Sequence, residues 1–121
     1  FHHHRIGTIL KEWRRVLKLG GILRLGVPDF DHLVAIYNKT GKNIDEIQPY
    51  LMGGQDYPLN CHFSIFNKQS LSQVLLSSGF RSVRVWTRGI DELTSLPDST
   101  GIILEKNDER IPISLNLEAV K

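Results

Sequence analysis

The sequence predicts an α/β fold: a mainly parallel sheet with one antiparallel strand near its edge. Three observations lead there. Ile22, Leu23, Leu25 and Val27 lie in a nearly continuous apolar run, the pattern of an interior parallel strand covered on both faces. Helix and strand periodicities alternate along most of the chain. Two strand patterns then follow in succession, at 82–88 and 111–119, and successive strands call for an antiparallel member.

Composition narrows the class. A chain of 121 residues suits one domain or part of one, with a modest core. The net charge of +2 is too small to point to nucleic acid or a membrane surface, so neither is expected as a partner. The single cysteine, Cys61, excludes an internal disulfide and fits a reducing compartment, so the expected location is cytoplasmic. No apolar run reaches membrane-spanning length, and the polar, histidine-rich start does not read as a signal peptide.

Taken in order, His2, His3 and His4 are adjacent and therefore point different ways, whereas metal sites need donors that converge; no metal site is expected. Ile6, Ile9, Leu10, Trp13, Val16 and Leu17 fall at helical spacing and make one apolar face. Lys11, Glu12, Arg14, Arg15 and Lys18 make a solvated face, with cations late in the helix where the dipole favours them. Gly20 is placed to end this helix in the left-handed conformation. Arg24 breaks the apolar run of 22–27 and must reach an edge or a carboxylate, and Pro28 stops the ladder. Asp29 or Asp31 is placed to cap the next helix, whose apolar face is Phe30, Leu33, Val34 and Tyr37. After a loop at 38–43, Asn43 caps a short segment at 44–48. Asn67 caps a helix at 68–78 with Leu71, Val74 and Leu75 inward, and Gly79 ends it. Residues 82–88 alternate as a half-exposed strand. A connection at 89–101 holds a helical turn near 91–96, and 107–110 read as a charged loop. Ile111, Ile113, Leu115, Leu117 and Ala119 alternate as a second half-exposed strand.

The segment 53–66 differs from the rest. It sets Gln55, Asp56, Tyr57, Asn60, Cys61 and His62 between helices, and chemically rich loops of this length carry binding function or serve as packed crossovers. His62 is the candidate general base, since imidazole is the side chain that changes charge near neutrality. Its bland alternative is a hydrogen bond that holds the loop. Cys61 reads as a small packed residue, because neighbours in sequence rarely form a thiolate–imidazole pair.

The run from Trp13 to Phe30, WRRVLKLGGILRLGVPDF, resembles a unit of class I S-adenosylmethionine-dependent methyltransferases of the small type-11 kind. In that family a helix ending RVLKPGG precedes the fifth strand, which ends near a Pro-Asp pair. His62, Phe66, Leu71, Leu75, Gly79 and Phe80 are similar to its H-x-x-x-F, helix, A/S-G-F pattern. LMGGQDYPLNCHFSIF and the terminal SLNLEAVK resemble one bacterial subgroup of predicted methyltransferases. Leu19 stands where the family has proline, and the family's glycine-rich cofactor turn has no counterpart here.

The resemblance implies a Rossmann-like sheet, of which residues 1–121 are the C-terminal, acceptor-side part, a truncated domain without its cofactor-binding half. It implies methyl transfer from S-adenosylmethionine to a small-molecule, sugar or lipid acceptor in a longer protein, with this chain alone inactive. His62 would be the catalytic base. Asp29, Phe30, Tyr57 and Asn60 would bind substrate, and Phe1 and His2 would touch the cofactor. The strand at 22–27 would show an open edge, and the chain would self-associate through it or be completed by another chain. The alternative is a non-catalytic binding or scaffold domain derived from that fold.

Overall fold

The computed structural model describes residues 1–121. Its main sheet has three strands, β1 (Ile22–Pro28), β2 (Ser82–Val85) and β5 (Ser114–Val120), in the order β1-β5-β2. A second sheet is the hairpin of β3 (Ile103–Lys106) and β4 (Glu109–Pro112). The helices are α1 (Ile6–Val16), α2 (Phe30–Lys39), the short α3 (Gln48–Met52) and α4 (Lys68–Ser77). None is long and apolar enough to cross a membrane.

The expected mainly parallel, Rossmann-like sheet is not what forms. All the strand ladders are antiparallel. β1 and β2 point the same way but never pair, because β5 lies between them and opposes both. The one parallel contact is an isolated bridge between Asp29 and Phe66. Helix–strand alternation correctly implies that β1 and β2 share a direction, but it says nothing about which strand fills the slot between them. Two further expectations change. Of the expected charged loop at 107–110, only Asn107 (φ 50°) and Asp108 (φ 63°) form a turn, the paired left-handed residues of a tight hairpin, while Glu109 and Arg110 begin β4. The strand at 111–119 is two strands broken at Ile113, after Pro112, which has no N–H to continue a ladder.

One face of the sheet is apolar. Leu115, Leu117 and Ala119 are buried with Leu10 of α1, Leu71 and Leu75 of α4, Phe66 and Phe80, while Leu23, Leu25, Val27 and Val83 pack against them. Leu33, Ile36, Ile47, Ile111 and Ile113 form a second, smaller core under α2 and the hairpin. The other face of the main sheet carries a charged row. Register places Arg24 of β1 and Arg84 of β2 on either side of Glu118 of β5. Arg24 Nε donates to Glu118 Oε2 at 2.9 Å, and Arg84 Nε donates to Glu118 Oε1. Arg24 therefore finds the carboxylate its position demands.

Helix ends follow local chemistry. α1 stops at Val16 with an extended Leu17 as its cap, so Gly20, left-handed at φ 77°, lies in the turn beyond and does not end the helix as expected. Lys121 Nζ donates to the Arg15 and Leu17 carbonyls, at 3.1 and 2.7 Å, so the end of β5 satisfies the end of α1. Asn67 and Ser70 exchange hydrogen bonds across the first turn of α4, Ser70 N donating to Asn67 Oδ1 at 2.9 Å and Asn67 N to Ser70 Oγ at 3.0 Å. Asn67→Ala is expected to lower stability by about 1 kcal/mol, read as the urea midpoint at unchanged slope.

β1 pairs on one side only. Its other edge has no ladder partner, in line with the open edge anticipated for residues 22–27.

Candidate functional site

The carboxyl end of β1 and the segment 53–66 together build a divided cleft. β1 ends at Pro28, and Asp29 turns the chain into α2, its Oδ1 accepting from Asp31 N at 3.1 Å. The far end of the segment is tied to the same place. Phe30 N donates to Phe66 O at 2.9 Å, beside the Asp29–Phe66 bridge. Its near end closes on itself: Gln55 N donates to Asn60 O at 2.9 Å, Asn60 N to Tyr57 O at 2.9 Å, and Asn60 Nδ2 to Asp56 Oδ1 at 2.5 Å. This closure needs glycine at position 53. Gly53 sits at φ 79°, and a Cβ there would come within 2.6 Å of Asn60 O.

His62 is fixed by two bonds. Its backbone N donates to Met52 O at 3.0 Å, and its ring Nδ1 lies 2.8 Å from Tyr50 O. A carbonyl only accepts, so Nδ1 carries a hydrogen. In the neutral ring Nε2 then holds the lone pair and is free to accept a proton.

Two cavities, of about 240 and 310 Å³, meet over the end of β1 and share Gly26, Val27, Pro28, Tyr50 and His62. The first is apolar, walled by Phe1, Leu33, Leu51, Phe63, Ile65 and Phe66. The second has fewer hydrophobic residues and adds polar groups, Asn60, Ser99, Thr100 and Ser114, to a wall that is still mostly carbon. Of the residues singled out in the sequence, the structure brings together His62, Asn60 and Phe1. It leaves four outside this cleft. Asp29 is buried and lines a separate cleft with His32 and Trp86. Phe30 and Tyr57 are exposed and line none of the larger cavities. His2 packs its ring on Phe63, with centroids 4.6 Å apart. No three His, Cys, Asp or Glu side chains converge as a metal site would require.

Tyr50 and Thr100 are site residues that sequence reasoning missed. For Tyr50 no signal exists. For Thr100 there is one: Gly26 interrupts an otherwise bulky strand, and glycine in a strand marks a close approach. A Cβ on Gly26 would come 2.5 Å from the Thr100 methyl. Gly26→Ala is expected to displace the turn at Ser99–Gly101, shrink the polar cavity and cost about 1–2 kcal/mol. Amide shifts confined to 98–102 and 114–116, with a lowered melting point, would check this.

The methyltransferase resemblance implies cofactor contact at Phe1 and His2. The residues present do not make a cradle for S-adenosylmethionine. The turn after β1 is Pro28, Asp29 and Phe30 rather than a glycine-rich loop, and no acidic side chain lines either cavity to meet ribose hydroxyls. No family model, curated protein or solved structure matches the chain.

Proposed function

We propose that this chain is the acceptor-side part of an S-adenosylmethionine-dependent methyltransferase, with His62 as the base. One observation carries the reading. The Tyr50 carbonyl holds His62 Nδ1–H, which leaves Nε2 as a lone pair on a side chain that lines both cavities. A base must lie within hydrogen-bond reach of the proton it removes, and this is where an acceptor hydroxyl would sit. The motif likeness around Trp13–Phe30 and His62–Phe80 supports the same reading. The share of this chain is to bind the acceptor, exclude water from it and take its proton. The acceptor is a small molecule, sugar or lipid, and the single free thiol fits a cytoplasmic setting. The open edge of β1 is where a second copy or another chain adds a strand.

The test is methyl transfer from radiolabelled S-adenosylmethionine by the natural polypeptide containing this sequence, with the isolated chain as a control. Transfer by the former and none by the latter is the expected result. A natural polypeptide that neither binds the donor nor transfers its methyl group would overturn the proposal. That result would favour the second reading, a non-catalytic binding domain.

A further inference from the structure

The divided cleft also carries information about what it holds. Neither cavity is lined by an Asp, Glu, Lys or Arg side chain. This is unusual for the chain, in which 23% of residues are charged and ion pairs are frequent elsewhere on the surface. The polar half offers uncharged groups: the Asn60 amide, the hydroxyls of Ser99, Thr100 and Ser114, and the glycine backbone at Gly53 and Gly54. The apolar half, at about 240 Å³, exceeds the roughly 150 Å³ cavity that accommodates benzene. It is large enough for an alkyl chain or a substituted ring.

We infer that the ligand of this cleft is an uncharged amphipath: an apolar chain or ring joined to a neutral, hydroxyl-bearing head. The chain enters between Leu33, Phe63 and Ile65, and the head rests against Asn60, Thr100 and Ser114. The hydroxyl nearest the junction of the two parts then faces His62, which lines both cavities. An anionic head meets no Lys or Arg side chain here, so sulfated and phosphorylated analogues gain no charge-assisted hydrogen bond from one and bind more weakly. A head without an apolar part leaves the larger share of the contact area unused. This inference rests on the acceptor-side reading of the same cleft and narrows it to one chemical class.

Binding is measured on the chain itself, without methyl donor, so its outcome is independent of methyl transfer. The probes are octyl β-glucoside, octyl sulfate and glucose, each titrated below any micelle-forming concentration and followed by NMR shifts of the His62 ring and the Ile65 methyls. Saturable binding of octyl glucoside, at least tenfold tighter than octyl sulfate and glucose, is expected. Ile65→Ser should weaken it fivefold or more, with the fold checked by unchanged amide shifts in β5. Equal binding of the sulfate would overturn the neutrality of the site. Equal binding of glucose would overturn its division into two halves. Absence of saturable glucoside binding would overturn the inference as a whole, and would do so even if the natural polypeptide proves to be a methyltransferase.

Discussion

His62→Asn is expected to leave the fold intact and to slow methyl transfer by the natural polypeptide about 10²–10⁴-fold, the usual contribution of a positioned general base. Asparagine is the informative replacement because its side-chain amide nitrogen falls near the place of Nδ1. It can still donate to Tyr50 O, so the anchor of the segment survives while Nε2 is lost. The measurement pairs turnover under saturating acceptor with a melting curve. A base role gives a large fall in kcat at an unchanged melting point. A purely structural role gives near-normal kcat for the asparagine variant, and a lowered melting point for His62→Ala. The two roles of His62, base and loop anchor, are thus separated by one pair of variants.

Removing the carboxylate of Glu118 is expected to be the most damaging change to stability outside the apolar core. Glu118 is 5% exposed and faces Arg24 and Arg84 across three strands. Burial raises its pKa, but the hydrogen bonds and charges of Arg24 and Arg84 outweigh that, and the carboxyl is held below its ordinary 4.5. Glu118→Ala leaves two guanidinium groups close together with no shared acceptor. Arg84 is largely solvated and Arg24 keeps Asp91, so no bare charge is left buried, and the cost is that of two lost charge-assisted hydrogen bonds, about 2 kcal/mol. The pH dependence has a definite sign. A native pKa below the unfolded one stabilises fully above pH 4.5, and the contribution is lost as pH falls through 4.5 toward the lowered native value. Urea midpoints should therefore drop from pH 6 to pH 3 in the parent chain, with a shallower drop in Glu118→Gln. An acid limb of equal steepness in both would assign the effect to other carboxylates.

Much of the local structure was legible in the sequence, because short-range chemistry fixes it. The left-handed Gly20, the Asp29 and Asn67 caps and the inward Leu71 and Leu75 each follow from residues within one helical turn. Strand neighbours are not decided that way. The alternation of Leu115, Leu117 and Ala119 tells which side chains face a core, but it is equally compatible with an edge or a central position. The parallel sheet was expected from element order, and the late strand instead took the central slot. The hairpin was hidden by composition: Glu105, Lys106, Asp108, Glu109 and Arg110 look like a solvated loop, and only the Asn107–Asp108 pair hints at a turn. In the cleft, His62 and Asn60 were legible because they crowd one unusual segment. Thr100 was not, since nothing local ties it to Gly26.

The central position of β5 has a consequence for how the chain is made. Arg24 and Glu118 stand 94 positions apart, and β2 likewise has no partner in the main sheet until β5 exists. During synthesis β1 therefore waits for about 90 residues, and β2 for about 30, before β5 can pair with either, with the apolar surfaces of α1 and α4 uncovered beside them. Closing the sheet late, over so long a loop, makes folding slow and exposes intermediates to aggregation. Any change that disrupts β5 is therefore expected to unpair β1 and β2 together.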